Sequence, residues 1–236
     1  MNHLAVNQVA AFVPCRAGSQ RVPNKNTRPF TPDGRSLLDL KLSQLLDTKL
    51  VSSIVVSSND LEVIEKADQI LGNGQVSYRI DKRPDHLCTN TTSTDDLIRY
   101  VPNIIEEEHV LWTHVTSPFV VGHHYDAAIT SYFQALQSTH YDSIASATLR
   151  QTFLWSAAGP INYDRAKERW PRTQTLNQVW ELNSAFFIAP LTTYQNQSDR
   201  IGYKPRFFEL DDLTALEIDR QDQFDLAASL WSALDK

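Results

Sequence analysis

Short apolar runs alternate with segments of helical period along most of the chain. Val9–Val13 is an apolar run that stops at Pro14, the shape of a buried strand. A polar, irregular stretch from Cys15 to Arg35 follows, and then Leu38, Leu42, Leu45 and Leu46 fall on one helical face. Ser53–Ser57 reads as a second strand. Asn59, with Glu62 three residues on, has the form of a capping box, opening a helix with Leu61, Ile64 and Leu71 turned inward. Val76–Arg79, after the Gly72-Asn73-Gly74 turn, and then Val110–Val115 and Ser143–Thr148 read as further strands, with helices over Asp95–Tyr100 and His123–Leu136. This β-α-β-α-β alternation predicts an α/β domain with a doubly wound, mostly parallel sheet. Such sheets take their ligands beyond the carboxyl ends of the strands, here after Val13, after Val115 and near the last strand.

Residues 149–180 break the pattern. They hold five Arg or Lys, two Pro and the tryptophans Trp155, Trp170 and Trp180, and no clean period survives. They are expected to form an inserted arm between a domain built from 1–148 and 181–236. Exposed Trp suggests a contact with another protein; the alternative is a loop folded onto its own domain. The core resumes with Ala185–Ala189 and Arg206–Leu210 and closes with a helix in which Ala227, Leu230, Trp231 and Leu234 share a face.

Composition narrows the function more than the fold. At 236 residues the chain is one large domain, or one with a small appendage. Its net charge of −6 argues against coating nucleic acid or anionic membranes, though not against a local basic pocket. No apolar run approaches the ~20 residues that span a bilayer. The opening MNHLAVNQVAAFVPCR has no basic leader and reads as a strand rather than a signal peptide. Cys15 and Cys88 form no CxxC and read as small buried thiols, reduced in a cytoplasmic compartment. The seven glycines make no dinucleotide fingerprint, no P-loop and no nucleophile elbow. His123-His124 are adjacent, poor spacing for a zinc pair on a helix.

Two stretches carry chemistry. In Pro14-Cys15-Arg16-Ala17-Gly18-Ser19-Gln20-Arg21-Val22-Pro23-Asn24-Lys25-Asn26, three cations and one glycine sit just past the end of the first strand. A turn of small residues exposes backbone N–H groups as an anion nest, and Arg16, Arg21 and Lys25 can neutralise a polyphosphate. Near the end, Glu217 and Asp219 lie two apart, so an extended backbone turns both carboxylates to one side. Such a pair suits Mg²⁺ (or Mn²⁺), which is held by one or two carboxylates plus substrate phosphates.

Arg16-x-Gly18-Ser19-x-x-x-Pro23-x-Lys25-Asn26 resembles the signature of the acylneuraminate cytidylyltransferases, the CMP-sialic acid synthetases. The match continues in order through Ser57-Ser58-Asn59-Asp60, Arg83-Pro84 to Thr94, Thr116-Ser117-Pro118, Arg172-x-Gln174-x-Leu176, Asn183-x-Ala185 and Glu217-Ile218-Asp219. The resemblance implies a nucleotidyltransferase fold with a dimerisation arm, and a homodimer. It implies a reaction of CTP with a 2-keto-3-deoxy sugar acid to give a CMP-sugar and pyrophosphate. By motif, Arg16, Ala17, Gly18, Ser19, Arg21, Lys25 and Asn26 would bind the triphosphate. Arg83, Thr92 and Thr94 would hold the cytosine, and Asp219 with Glu217 the metal. His114, Thr116, Ser117, Asn183 and Phe186 would line the sugar site, with Arg172 reaching a neighbouring subunit's sugar carboxylate. The chain departs from the pattern at Gln20, where the family usually has Lys. It also departs at His114-Val115 in place of Gln-Pro, at Val120 in place of Arg, and at Glu217 in place of Asp. His114 is therefore expected to make its sugar contact dependent on pH near ~6.5 and to move selectivity away from plain N-acetylneuraminate. Two other readings are a nucleotidyltransferase for another sugar acid such as Kdo or for an alditol, and a non-catalytic nucleotide-binding homologue.

Overall fold

A computed structural model describes residues 8–138 and 140–234. Seven strands form one sheet: β1 (Val9–Pro14), β2 (Ser53–Ser58), β3 (Ser77–Lys82), β4 (His109–Thr113), β5 (Ser143–Arg150), β8 (Val179–Pro190) and β9 (Pro205–Glu209). Two further short strands, β6 (Trp155–Ser156) and β7 (Gly159–Pro160), pair only with each other. The helices are α1 (Leu37–Leu46), α2 (Leu61–Leu71), α3 (Thr94–Tyr100), α4 (Gly122–Gln137), α5 (Leu191–Gln197) and α6 (Gln221–Leu234). The first seven residues, including the start of the opening stretch read as leaderless, lie outside the described residues.

The strand order is β3-β2-β1-β4-β8-β5-β9, parallel except for β8, which runs antiparallel to both β4 and β5. The chain winds outward from β1 to β3 and then crosses to β4 on the other side. The carboxyl ends of β1 and β4 therefore flank a topological switch point, where open α/β sheets bind ligands. Alternation along β1 builds both layers. Val9, Ala11 and Val13 pack under α1, α2, α4 and α6, whereas Ala10 and Phe12 face α3 and α5.

Local chemistry explains several boundaries. Ser36 caps α1: its hydroxyl accepts from Asp39 N at 3.2 Å, and the Asp39 carboxylate accepts from Ser36 N at 2.7 Å. The cap expected at Asn59 falls one residue later. Asp60 accepts from Glu62 N at 3.1 Å, so the inward face of α2 is Val63, Ala67 and Leu71, and Leu61 is exposed. The sheet also enters the supposed arm. Leu149 and Arg150 pair with Trp180 and Val179, and Arg150 Nε bridges to Glu181 at 2.5 Å. This ribbon has a polar, exposed face, and so shows no apolar run. Beyond it, Asn162 is buried and donates to Thr152 O and Asn177 O at 2.8 and 2.9 Å, tying the two sides of the excursion together.

Candidate active site

Three segments meet beyond the carboxyl ends of β1 and β4, and they are laced at one buried residue. Ile218 donates its backbone N–H to Thr116 O at 2.9 Å and accepts from Lys25 Nζ at 2.8 Å. The loop after β1, the loop after β4 and the segment before α6 are thereby fixed to one another. With Ile218 pointing inward, Asp219 faces the cleft, 47% exposed, with Arg21 at 3.6 Å and Lys25 at 3.9 Å. Pro14, Arg16, Ser19, Gln20, Arg21, Val22, Lys25, Asn26, His114, Val115, Thr116 and Asp219 line a cleft of about 230 Å³.

The loop after β1 keeps its shape through its neighbours. Gly18 adopts φ +75°, a conformation that costs glycine little. Asn59, expected as a helix cap, instead accepts from Ala17 N at 2.9 Å. Arg16 donates to Asn90 Oδ1 at 2.9 Å, which leaves Ala17 and Gly18 along a side opening with Thr89 and Asn90. Burial pulls the Lys25 pKa below its usual value, against the raising effect of Asp219 and Glu217.

A second pocket of about 210 Å³ shares Pro14, Arg16 and His114 with the first and extends to Arg83, Leu87, Thr92, Ser93, Thr94, Leu97 and Trp112. Arg83 is 5% exposed and donates to Ser57 Oγ and Ser57 O at 3.0 and 2.7 Å. Ser57 in turn donates to Asp81, which also accepts from Tyr100. This network holds the guanidinium rigid at the pocket wall.

His114 joins the two pockets, but not as a titrating group. Its Nε2 accepts from Trp112 Nε1 at 3.0 Å, which leaves the neutral ring's proton on Nδ1. Burial, followed by the charges of Arg200, Lys25 and Lys41, pushes its pKa down to about 3. The expected pH dependence near ~6.5 is thus corrected: the ring is a fixed donor throughout the neutral range.

Four expected sugar-site residues lie elsewhere. Phe186 belongs to the core, fully buried and edge-on to Tyr125 at 5.8 Å. Ser117 is fully buried and absent from the lining of either pocket, because its carbonyl is drawn inward by Lys41 at 3.0 Å. Asn183 sits in an irregularity of β8 beside Ser184, which adopts φ +56°; its side chain donates to Thr148 Oγ1 and accepts from Ala185 N. Arg172 is exposed on the excursion and lines neither pocket. Arg200, which sequence reasoning missed, also lines neither pocket, but its charge reaches His114 and Glu217. Its guanidinium packs 3.8 Å from the Phe187 ring and 5.1 Å from Trp112, and burial lowers its pKa. It comes from an irregular turn after α5, a helix the apolar pattern did not show.

Glu217 and Asp219 fit a hard divalent cation. Burial, with the charge of Asp219 next, raises the Glu217 pKa, so a bound cation would relieve an unfavourable anion. Among the described residues no three His, Cys, Asp or Glu gather into a metal cluster. Asp219 lines the cleft beside the basic loop and Glu217, which lines neither pocket, stands near enough for their charges to interact; such a pair could hold Mg²⁺, which completes its shell with water and phosphate oxygens.

A cytidylyltransferase family model matches residues 10–187. The chain belongs to the cytidylyltransferase family. It is 23% identical over 233 residues to the N-acylneuraminate cytidylyltransferase of Escherichia coli O18:K1:H7, covering 94% of this chain and 52% of that protein. It is 26% identical over 104 residues to the pseudaminic acid cytidylyltransferase of Campylobacter jejuni serotype O:2, covering 44% of this chain and 42% of that protein. The chain thus spans about half the length of these curated relatives. Among solved structures, CMP:2-keto-3-deoxy-manno-octonic acid synthetase complexed with CTP superposes with a TM-score of 0.68 at 14% identity, covering 96% of this chain and 99% of that one. The 4-diphosphocytidyl-2C-methyl-D-erythritol synthase of Anaerococcus prevotii gives 0.65 at 12%, covering 98% and 100%. These superpositions establish the nucleotidyltransferase fold expected from the motifs.

Proposed function

We propose that this cleft transfers the CMP group of CTP to a nonulosonic, sialic-type sugar acid. The anomeric hydroxyl oxygen attacks the α-phosphorus, a new O–P bond forms, the bond from the α-phosphorus to the oxygen it shares with the β-phosphate breaks to release pyrophosphate, and the hydroxyl proton passes to solvent. The observation that carries this reading is Lys25, which ties Ile218 while standing 3.9 Å from Asp219 in a cleft that also holds Arg16 and Arg21. The relatives' names point to the same chemistry.

Phosphoryl transfer needs positioning and charge stabilisation more than covalent help. Arg21 and Lys25 now share Asp219 and would turn to the triphosphate, with Ser19 and the Ala17–Gly18 backbone completing the nest. Mg²⁺ or Mn²⁺ held by Asp219 and Glu217 would supply further charge to the phosphates. The second pocket takes the cytosine, with Arg83, Thr92 and Thr94 as its polar wall. The Nδ1–H of His114 and the Thr116 hydroxyl face the sugar. The sugar's carboxylate has two candidate cations: Arg200 in this chain, and Arg172 from a second copy.

The excursion supports a homodimer. Trp155, Trp170, Trp180, Leu182 and Ile161 are all exposed along it, and Arg165 lies over Trp155 and Trp170 at 5.2 and 5.9 Å. A monodisperse species of 27 kDa in light scattering would contradict it. Among the described residues no helix is long and apolar enough to cross a membrane, and Cys15 and Cys88 are free and buried. Both fit a cytoplasmic enzyme. The test of function is pyrophosphate release from CTP with a panel of nonulosonic acids, Kdo and alditol phosphates. The reading expects release with a nonulosonic acid, and with one other than N-acetylneuraminate as the best substrate. Release with no acceptor in the panel would leave a nucleotide-binding homologue.

A further inference from the structure

The apolar face of α1 contains one cation that the proposed chemistry does not use. Lys41 is 0% exposed and packs among Leu37, Leu38, Leu42 and Leu45. Its ammonium spends all three donors inside the protein: on Ser117 O at 3.0 Å, Val120 O at 3.2 Å and Tyr125 OH at 2.6 Å. Thr113 Oγ1 lies 2.8 Å from the Tyr125 hydroxyl and donates to Ala185 O at 2.9 Å. One turn along α1, Gln44 Nε2 donates to Pro118 O at 2.5 Å. Helix α1 thus grips three carbonyls of the loop after β4. The residue just before that grip, Thr116, is the acceptor that anchors Ile218. An aliphatic side chain of equal length would fill the same space without the desolvation cost of a buried charge. What the charge adds is the grip on the loop.

We propose that Lys41 is a positioning residue of the cleft, an ammonium that clamps Ser117–Val120 from beneath and so sets where His114, Thr116 and the Glu217–Asp219 segment stand. This rests on the function proposed above. Burial pushes the Lys41 pKa from 10.5 down to about 7, so the clamp loses its charge and one donor within the ordinary assay range. The neutral amine keeps two N–H donors and gains a lone pair, so its bonds to the loop carbonyls lose their charge assistance, and Tyr125 keeps its contact only by turning its O–H from Thr113 to the amine. The groups facing Lys41 do not titrate across that range. His114, at the end of β4, and His124, on α4, both have pKa values lowered by burial, and that of Tyr125 on α4 is raised by burial.

The test compares wild type with Lys41→Met and with Lys41→Gln, which retains an amide donor should the first variant fold poorly. Carbon-13 NMR of labelled lysine, assigned by the signal missing from each variant, should show Lys41 titrating near pH 7. Protection of the amides of residues 116, 117 and 119–121, corrected for the intrinsic rise of exchange with pH, should fall across the same range in wild type only. Wild-type kcat should fall about three- to fivefold between pH 6.5 and 8.5. Lys41→Met should have kcat about tenfold lower and flat over that range, with KM for CTP changed less than about threefold. A Lys41 titrating above pH 9, or variants with wild-type kcat and the wild-type pH profile, would overturn the clamp. A lowered melting temperature with an unchanged pH profile would also overturn it, as mere packing. If wild type transfers nothing from CTP, the proposed function fails, while the titration and loop exchange still decide the clamp.

Discussion

The two ends of the cleft are built differently. The end proposed for the nucleotide closes on itself within one chain: Ala17 hangs on Asn59, Arg16 reaches Asn90, Lys25 ties Ile218 and Arg83 is locked to Ser57. Each of these four is held by a hydrogen bond to another segment at the same edge of the sheet. The sugar end has no such closure. Of its expected residues, His114 and Thr116 face the cleft, Phe186 and Ser117 are buried, Asn183 is held in an irregularity of β8, and Arg172 stands exposed on the excursion. A polyphosphate can be bound by groups one chain supplies. On the proposed function, a sugar acid calls for a further wall, which a second copy docked on the exposed aromatic ribbon would provide.

The contrast is broken most severely at Asp219. Asp219→Asn keeps the size and removes the charge, and should lower metal-dependent turnover about 1,000-fold without unfolding the protein. Full activity in excess EDTA would remove the metal from the account. Lys25→Ala should cut kcat/KM about 100-fold, since it deletes both a phosphate cation and the tie to Ile218; near wild-type turnover would take the loop out of the mechanism. At the other end, Phe186→Ala should cost about 3–5 kcal/mol of stability in denaturant unfolding. Its KM for the sugar should hardly change, because the ring packs on Tyr125 and Phe208. The smallest effect is expected at His114. Its folded pKa of about 3 lies below the unfolded 6.5, so between those values the unfolded chain holds more protons and stability rises with pH. His114→Gln should flatten that slope between about pH 3 and 6.5, as read by melting temperature, while leaving the pH–activity profile above 6.5 as in wild type.

The alternation of apolar runs was enough to read β1, β2, β4 and the helices between them, because buried parallel strands are continuous and their helices are amphipathic. It missed α5, which is short and polar, and the lower part of β8, which runs out into a ribbon exposed to solvent. The motif residues around Lys25 and Asp219 were legible because their chemistry is carried by charge, and charge is visible in a sequence. Asn59 was misread because Asn and Asp cap helices equally well, and only the neighbouring backbone shows which one is free to hold Ala17. Lys41 left a trace, a cation on the same face as Leu38 and Leu45, but two of its three acceptors are backbone carbonyls, which no side-chain pattern records.

The difference between the two ends is tested most directly by equilibrium binding of CTP, by calorimetry with Mg²⁺ present, to Lys25→Ala and Arg172→Ala side by side with wild type. If the nucleotide end is complete within one chain, Arg172→Ala binds CTP as wild type does and Lys25→Ala weakens it at least about tenfold, close to 1.4 kcal/mol. Unchanged CTP affinity in Lys25→Ala, or a loss in Arg172→Ala as large as that expected for Lys25, would contradict the account.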